Sequence, residues 1–320
     1  MKFNILGTGS YLPPTVLTNE DLSHMVETDD EWITKRVGIK ERRIAADETT
    51  SMMGTKAALA ALENSGLKPL DLDLILVVTM TPDHMNPGNG ALIQRNIGAA
   101  CPALDIAGVA CTGFIFLMET ASAFLSAGKY KNILLVASER ISNITDYTDR
   151  STCIIFGDGA GAMVINGEKD NLVDSELRTF GDDETICVSN VNGDCPLHTD
   201  ERVTEQRTHM DGHATYKFAV TQMRELINGL MERNNLTDRD IRWVLPHQAN
   251  LRIINEAKRK INIASEKFRT TIEKYGNISS ACIPVLLDEL NRNGELARGD
   301  LLAMAAFGGG LNSGGAILRW

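Results

Sequence analysis

The sequence lacks several features that would assign it to particular classes of protein. No uninterrupted apolar run approaches the roughly 18 residues that a membrane-spanning helix needs. The six cysteines include no Cys-x-x-Cys pair and no zinc-finger spacing, so no metal site is predicted. Basic residues are outnumbered, with 32 Lys and Arg against 42 Asp and Glu, and the net charge of −10 argues against nucleic acid as the main partner.

The bulk properties that remain are those of a soluble globular protein. The chain has 320 residues, of which 43% are apolar and 23% charged, and this length favours two domains. The apolar stretch within residues 1–7 is too short for a signal peptide and is soon followed by polar residues. These residues predict a first strand instead. Unpaired cysteines in a chain of this length fit a reducing compartment, so we expect a cytoplasmic protein.

An internal repeat is visible in the sequence. Residues 66–77 align with residues 235–244, and three pairs share one offset: Leu67 with Leu236, Asp71 with Asp240, and Leu72 with Ile241. Each copy follows a predicted helix, 50–65 or 213–233, and leads into a predicted buried strand, 74–80 or 242–245. A further pair of apolar segments, 132–136 and 300–304, repeats at nearly the same offset. Strands that alternate with helices indicate βαβ units, and we predict two similar α/β halves, 1–170 and 171–320, packed about a pseudo-twofold axis.

Two glycine-rich segments carry no nucleotide-binding signature. Gly7-Thr8-Gly9 has no third glycine in register and runs into Pro13-Pro14 rather than a helix, so it is not a dinucleotide fingerprint. Residues 156–162, Phe-Gly-Asp-Gly-Ala-Gly-Ala, precede a predicted strand at 163–165. This second segment is interpreted as a tight backbone turn where side chains do not fit.

Cys111 is the candidate nucleophile. It opens an apolar run, residues 111–118, that predicts a helix buried on every side. A thiol at the first turn would face unsatisfied N–H groups and the positive end of the helix dipole, which favour the thiolate. The alternative is a core cysteine that serves as a small hydrophobic side chain.

Two further residues supply groups that a reactive thiol needs. His247 follows a predicted buried strand, and its imidazole can accept the thiol proton or polarise a carbonyl. Asn277 stands at another predicted helix start, and its amide is a neutral donor suited to an oxygen that becomes negative. Taken alone, His247 could be structural and Asn277 an N-cap. Together with Cys111 they form a Cys-His-Asn set, which points to covalent catalysis.

Four separated motifs resemble the β-ketoacyl-acyl-carrier-protein synthase III family, the initiating condensing enzymes of bacterial fatty-acid synthesis. They are Asp-Ile-Ala-Gly-Val-Ala-Cys-Thr-Gly-Phe at 105–114, Pro-His-Gln-Ala-Asn-Leu-Arg-Ile-Ile at 246–254, Gly-Asn at 276–277 and Phe-Gly-Gly-Gly at 307–310. The resemblance runs the length of the chain and includes residues 30–33 and 149–152. It implies an α/β thiolase-like fold, with two duplicated halves packed as a five-layer αβαβα sandwich.

The resemblance also implies a reaction in two stages without a cofactor. Cys111 would take an acyl group from acyl-CoA as a thioester, and malonyl-acyl carrier protein would then lose CO₂ and attack that thioester. His247 and Asn277 would hold the malonyl thioester oxygen as enolate charge develops. The backbone N–H groups of Cys111 and Gly308 would hold the oxyanion of the acyl-enzyme.

Binding residues are implied in the same way. Trp32 would stack on the CoA adenine with Arg150, and Arg36 would lie near the CoA phosphates. Gly212, Asn250 and Ile253 would line the pantetheine tunnel. A homodimer is expected through residues 105–115, with Met85 and Asn86 of one subunit reaching toward the acyl pocket of the other. Because carrier proteins are acidic, we predict a docking patch within or beside the net-positive segment 251–269, formed by four basic residues: Lys217, Arg252, Arg259 and Lys260.

Departures from the family pattern leave the substrates open. Asn86 and Ser313 stand where the family has aromatic residues, and Ile278-Ser279-Ser280 replaces small residues. A related condensing enzyme of secondary metabolism, with another acyl donor or acceptor, therefore remains an alternative.

Three other classes fit less well. A papain-like protease would carry Cys-Gly-Ser-Cys-Trp around its cysteine, and Cys111 has different neighbours. A degradative thiolase needs a second catalytic cysteine, which residues 308–310 lack, and Cys282 is expected in the core. A non-catalytic binding module is disfavoured because all three reactive residues are present.

Overall fold

The computed structural model describes residues 1–190 and 206–320, which form two larger β-sheets with helices on both faces of each. The strands are β1 (Asn4–Tyr11), β2 (Thr15–Thr18), β3 (Glu41–Ile44), β4 (Leu74–Val78), β5 (Ala103–Ile106), β6 (Asn132–Arg140), β7 (Asp158–Asn166), β8 (Leu172–Asp182), β9 (Ile186–Asn190), β10 (Gln206–Met210), β11 (Ile241–Pro246), β12 (Leu301–Gly308) and β13 (Gly310–Arg319). The α-helices are α1 (Asn19–Ser23), α2 (Asp30–Val37), α3 (Thr50–Ser65), α4 (Asn89–Ile97), α5 (Gly113–Ser126), α6 (Arg150–Cys153), α7 (Gly212–Arg233), α8 (Leu251–Lys258), α9 (Ile272–Tyr275) and α10 (Cys282–Arg292).

The two larger sheets share one strand pattern. The first has the order β1-β7-β6-β4-β5, with β4 parallel to β5 and β6 and with β6, β7 and β1 antiparallel in turn. The second has the order β11-β12-β13-β8, with β11 and β12 parallel and the remaining pairs antiparallel. Where the first sheet has β5, the second has a single bridge between Val244 and Phe268. The strands of the first sheet all precede those of the second in the chain, while a domain boundary near residue 170 stays a prediction.

The internal repeat is confirmed in local detail. The 3-10 turns Pro69–Asp71 and Asp238–Asp240 follow α3 and α7 and lead into β4 and β11, at the offset seen in the sequence. The predicted pairing of residues 132–136 with 300–304 is wrong by one residue. Ile133 pairs with Leu74 in the first sheet, and its counterpart Leu302 pairs with Trp243 in the second.

Five layers follow from where the apolar side chains are buried. The central cluster joins α5 and α10 to the inner faces of both sheets, with Phe114, Leu286, Leu76 and Leu302 among its members. A second cluster packs α3 and α4 on the outer face of the first sheet, and a third packs α7 and α8 on the outer face of the second. This αβαβα arrangement confirms the predicted thiolase-like class. The start of α5, residues 113–118, is buried apart from the half-buried Phe116, whereas Ala123 and Ser126 near its end are exposed, so the helix is not buried on every side.

The predicted elements differ from the structure mainly at their ends. Helix 50–65 is confirmed, helix 213–233 begins one residue earlier, and the strand predicted at 74–80 ends at Val78. The predicted turn at 157–162 is wrong, because Asp158 already begins β7. The expected lack of space is correct, since a Cβ on Gly161 would lie 2.8 Å from the Cβ of Pro284 in α10. Among the helices described, none is long and apolar enough to span a membrane.

Candidate active site

Cys111 lies in the 3-10 turn Ala110–Thr112, which leads directly into the buried helix α5. Ala110 has a φ of 44°, in the left-handed region that side chains rarely adopt. Such strain persists only where the surrounding structure holds it. The turn exposes part of Cys111 to an internal cavity, while Thr112 and the first turn of α5 are buried.

The thiol of Cys111 is neutral near pH 7. Burial raises its pKa to about 12, a nearby charge on Glu139 raises the pKa further, and a hydrogen bond with Ser279 lowers it only in part. The expectation that the resting site favours the thiolate is therefore wrong. The reason is that Cys111 lies in the mostly apolar wall of the cavity, ahead of α5. There the free-energy cost of desolvating a charged thiolate exceeds the stabilisation that the helix N-terminus provides.

His247 follows β11 and is almost fully buried, with 1% of its surface exposed. Its backbone N–H donates to the carbonyl of Ala305 at 2.8 Å, and its ring packs edge-on against Phe307 with 5.3 Å between ring centroids. Within residues 1–190 and 206–320, neither ring nitrogen has a hydrogen-bond partner. Burial lowers the pKa of His247 to about 3, so the imidazole is neutral and both nitrogens are available to a ligand.

Asn277 is held by backbone and side-chain hydrogen bonds. Its N–H donates to the carbonyl of Ile155 at 2.9 Å, and its carbonyl accepts from the N–H of Gly157 at 3.0 Å. The side-chain oxygen accepts from the N–H of Ser279 at 2.8 Å, at the start of the 3-10 turn Ser279–Ala281 before α10. The capping interpretation and the catalytic one are thus compatible, because the side-chain oxygen caps the turn and the NH₂ group remains as a donor.

One cavity brings the three residues together. It has a volume of about 850 Å³, counted to its open mouth, and Cys111, His247 and Asn277 all line it. Gly308 lies beside Cys111, since a Cβ on this glycine would be 2.9 Å from the backbone nitrogen of Cys111. The predicted tunnel residues also line the cavity: Gly212, Asn250 and Ile253.

Most of the remaining cavity wall is apolar and is absent from the sequence prediction. These residues come from widely separated parts of the chain: Met80, Ile141, Ile144, Ile155, Phe156, Ile186, Met210 and Phe307. In a sequence they are indistinguishable from core residues, so no local signal identifies them. Ser279, which the sequence marks only as a departure from the family pattern, also lines the cavity.

Trp32 lies on α2, half-buried between two arginines. The guanidinium of Arg150 is 4.8 Å from the ring centroid and that of Arg36 is 5.1 Å from it. Both arginines of the expected CoA site therefore contact the Trp32 ring, and their roles in binding stay predictions. Trp32, Met210 and Leu251 belong to one hydrophobic cluster, which links α2 to a cavity-lining residue and to the start of α8.

The net-positive segment 251–269 is partly neutralised by its neighbours. Glu256 pairs with Arg259 at 3.0 Å and with Lys260 at 3.1 Å, as local spacing suggests. Lys267 pairs with Asp238 at 3.2 Å, and Arg269 pairs with Glu295 at 2.7 Å. Acidic residues outside the segment therefore offset part of its positive charge. The four proposed docking residues are all exposed: Lys217, Arg252, Arg259 and Lys260.

The predicted dimer residues include the end of β5, an edge strand of the first sheet, and the segment between β4 and α4. Neither Met85 nor Asn86 lines the cavity around Cys111 of its own chain, and Met85 is 96% exposed. Strand β5 is the edge strand of this sheet, and its Leu104 is 48% exposed. An apolar surface next to an unpaired strand edge is typical of an interface.

The duplicated fold and the Cys-His-Asn cavity define a thiolase-fold acyltransferase. Residues 104–181 match the family model for 3-oxoacyl-[acyl-carrier-protein (ACP)] synthase III, and residues 231–320 match the model for its C-terminal part. The β-ketoacyl-[acyl-carrier-protein] synthase III of Clostridium acetobutylicum is 43% identical over 319 residues, 99% of this chain and 98% of that relative. The chain belongs to the β-ketoacyl-[acyl-carrier-protein] synthase III family.

Two solved structures show the same architecture. The 3-oxoacyl-[acyl-carrier-protein] synthase III of Aquifex aeolicus has a TM-score of 0.92 and 41% identity, covering 99% of this chain and 100% of that one. The priming β-ketosynthase of the R1128 polyketide pathway has a TM-score of 0.93 and 32% identity, covering 99% of this chain and 96% of that one.

Proposed function

We propose that this enzyme condenses an acyl-CoA primer with malonyl-acyl carrier protein through an acyl thioester on Cys111, and so initiates fatty-acid synthesis. The observation that carries the proposal is the single cavity lined by Cys111, His247 and Asn277. Its apolar wall suits an acyl chain and excludes water from a reactive thioester. The reaction needs no cofactor, because the CoA thioester is itself a substrate.

One pair of hydrogen-bond donors would serve the acylation of Cys111, and a second pair would serve the decarboxylation of the malonyl group. The amides of Cys111 and Gly308 are adjacent and suit the oxyanion formed when the thiol attacks acyl-CoA. His247 is neutral and can donate one N–H. The side-chain oxygen of Asn277 already accepts from the N–H of Ser279, so the NH₂ group of Asn277 is the part left to donate. Together these two side chains would stabilise the enolate formed by decarboxylation, since both are donors fixed before charge develops.

CoA would enter past the hydrophobic cluster that links α2 to the start of α8. Trp32 and Arg150 offer a flat cationic surface for the adenine, and the exposed Arg36 is available to the phosphates once it leaves the indole ring. Gly212, Asn250 and Ile253 would accompany the pantetheine arm toward Cys111.

The carrier protein would dock at the exposed start of α8 and beside it. Arg252 lies between two cavity-lining residues, Asn250 and Ile253, so its charge is next to the entrance. Arg259, Lys260 and Lys217 would extend this patch, although Glu256 offsets part of its charge. A local basic patch is needed because an acidic partner is repelled by a chain of net charge −10.

The enzyme would act in the cytoplasm as a homodimer. The edge strand β5 with Leu104 supports pairing of two subunits through residues 105–115. The exposed Met85 and Asn86 would then extend toward the acyl pocket of the other subunit.

The test is intact-protein mass spectrometry after exposure to a panel of acyl-CoAs, followed by a condensation assay with malonyl-carrier protein. Cys111→Ser should form no adduct, because an alkoxide is far harder to generate than a thiolate. Cys101→Ser, which changes a cysteine outside the cavity, is the matched control and should acylate normally. An adduct retained on Cys111→Ser would contradict the proposal.

The second half-reaction is tested separately. His247→Ala and Asn277→Ala should each slow decarboxylation by roughly 10²–10³, the cost of one fixed donor. Acylation of Cys111 should suffer less. Equal loss of both steps in Asn277→Ala would contradict its assigned role.

A condensing enzyme with a different acyl donor or acceptor is the second candidate. It is favoured by the polar residues Asn86 and Ser313 and by similarity to the priming β-ketosynthase of a polyketide pathway. Acylation by acyl-CoA without condensation with malonyl-carrier protein would support this candidate over the first.

A further inference from the structure

A carboxylate that the reaction above does not use lies behind the cavity wall. Glu139, near the end of β6, has no exposed surface. The hydroxyl of Ser280 donates to one of its oxygens at 2.5 Å. The other oxygen accepts from the N–H of Met80 at 2.9 Å and from the hydroxyl of Thr79 at 3.2 Å. Burying a carboxylate is costly unless its hydrogen bonds are satisfied, so these bonds hold three separate segments of the chain together.

Two of these segments meet at the surface of the cavity. Met80, which follows β4, and Ser279, in the 3-10 turn Ser279–Ala281, both line the cavity, whereas Glu139 does not. The hydroxyl of Ser279 donates to the sulfur of Met80 at 3.2 Å. Because Glu139 binds the backbone of Met80 and the hydroxyl of Ser280, the residue after Ser279, it fixes both sides of this contact.

The same turn orients the side-chain amide of Asn277. The amide oxygen accepts from the N–H of Ser279 at 2.8 Å, and the thiol of Cys282 is a second, weaker donor 3.8 Å from that oxygen. Both donors belong to the turn or to the start of α10, so the oxygen faces the turn and the NH₂ group remains for a ligand in the cavity. A displacement of the turn would therefore displace this NH₂ group.

The internal repeat shows what is particular to Glu139. At the offset of the repeat, Cys111 corresponds to Ser280 and Glu139 corresponds to Gly308. Gly308 of the second half lies beside the backbone of Cys111 in the first, and its lack of a side chain leaves room for a substrate oxygen. Glu139 of the first half binds Ser280 of the second. One contact between the halves is thus open for a reacting oxygen, and the equivalent contact is closed by a carboxylate.

We propose that Glu139 is a positioning residue for Asn277. Its carboxylate holds the turn Ser279–Ala281, through Ser280, against the segment after β4, through Met80. The NH₂ group of Asn277 is thereby kept directed at the malonyl thioester oxygen. This role rests on the proposed function, in which Asn277 stabilises the enolate. A donor of this kind is effective only when it is fixed before charge develops, and a misplacement of about 1 Å can cost about 10² in rate.

Hydrogen-bonding geometry rather than charge carries this role. Burial raises the pKa of Glu139 to about 7, and Ser280 can bond to either form of the group because a hydroxyl both donates and accepts. In Glu139→Gln the amide oxygen would accept from the N–H of Met80, and the NH₂ group would donate to Ser280. This variant keeps both links, whereas Glu139→Leu breaks both and Ser280→Ala breaks the link to the turn.

The experiment compares the two half-reactions in full-length variants. Release of CoA measures acylation, and release of CO₂ from malonyl-carrier protein by the acylated enzyme measures decarboxylation. In Glu139→Leu and in Ser280→Ala, kcat for decarboxylation should fall by about 10- to 10²-fold with little change in KM, while acylation should be nearly unchanged. Glu139→Gln should recover most of the decarboxylation rate. Equal loss of both steps, or a Glu139→Gln variant as slow as Glu139→Leu, would overturn the proposal.

Hydrogen exchange gives a readout that does not depend on the reaction. Peptides covering residues 277–282 should lose protection in Ser280→Ala, because the N–H of Ser279 is less well held, while peptides from α5 keep theirs. Glu139→Gln should retain the protection. Unchanged protection in Ser280→Ala would overturn the positioning role. If the wild type did not decarboxylate malonyl-carrier protein but exchange still distinguished these two variants, the proposed function would fail and the positioning role would stand.

A matched control is available on the strand that carries Glu139. Ser138→Ala removes an equally buried hydroxyl from the preceding residue, one that donates to the carbonyl of Thr50 at 2.6 Å. This variant should leave the ratio of the two half-reactions and the protection of residues 277–282 unchanged. If it altered both as Ser280→Ala does, the effect would belong to any lost hydroxyl in the core, and the assignment to Glu139 would be wrong.

Discussion

At the residue scale, burial keeps the reactive side chains neutral until a substrate arrives. It raises the pKa of Cys111 to about 12 and lowers that of His247 to about 3. A neutral imidazole can still donate an N–H to a developing enolate, and it does not attract solvent anions.

Buried His247 should make folding stability depend on pH. Its pKa is about 3 in the folded state against 6.5 unfolded, so between these values only the unfolded state binds the proton. Stability should be lost as the pH falls below 6.5, by about 2 kcal/mol at pH 5. Urea unfolding of the wild type and His247→Gln at several pH values measures this loss. The pKa of Glu139, raised to about 7, has the opposite effect but is common to both proteins. Parallel pH profiles would contradict the prediction.

Gly308→Ala should impair acylation while leaving the fold intact. The added Cβ would lie 2.9 Å from the backbone nitrogen of Cys111, so one of the two backbones must move. Loss of one oxyanion donor costs roughly 10²–10³ in rate. Pre-steady-state release of CoA measures the effect. Gly66→Ala has no atom within 4 Å of the added Cβ and serves as a control for a glycine substitution, although its positive φ will lower stability somewhat. Normal acylation by Gly308→Ala would exclude this amide from the site.

At the scale of elements, the site is assembled at the starts of the two central helices. A 3-10 turn precedes each of α5 and α10, and a residue with positive φ, Ala110 or Ser279, lies in or beside each turn. The duplicated halves thus present equivalent backbone turns to a shared cavity, and one supplies the thiol while the other supplies Asn277. Strain at both turns is held by the packed sheets on either side.

The basic residues at α8 are expected to govern the use of the carrier protein as a substrate. Arg252→Glu with Arg259→Glu should weaken use of malonyl-carrier protein and flatten its salt dependence, with acylation by acyl-CoA nearly unchanged. The ionic-strength dependence of kcat/KM measures this. Lys129→Glu with Lys131→Glu makes the same charge change before β6, at the end of that strand away from Glu139, and should have little effect. If both pairs behaved as wild type, docking would lie elsewhere.

At the scale of the whole molecule, two sheets of one topology enclose the nucleophile from both sides, and β5 lies at one edge of the first sheet. This edge, β5, carries the exposed Leu104 and leads toward the turn of Cys111. Pairing of two subunits here would extend the first sheet and cover an apolar surface.

Light scattering at micromolar concentration should therefore give the mass of a dimer. Leu104→Lys should shift the protein toward the monomer and reduce activity, because a charge would be buried at the interface. Leu59→Lys changes an equally exposed leucine on the outer helix α3 and should leave the dimer intact. A fully active wild-type monomer would contradict the prediction.

The local elements and the identity of the reactive groups could be predicted from the amino-acid sequence alone. Helix 50–65, the repeated turns before β4 and β11, and the candidates Cys111, His247 and Asn277 follow from periodicity, repeat and side-chain chemistry, all of which are encoded within short segments. The surroundings of these groups are established only when the chain folds: the neutral state of the thiol, the pairing of Lys267 and Arg269 with distant acids, the apolar cavity wall and the buried Glu139. Desolvation and ion pairing depend on residues that are far apart in the chain, so no short segment contains the information.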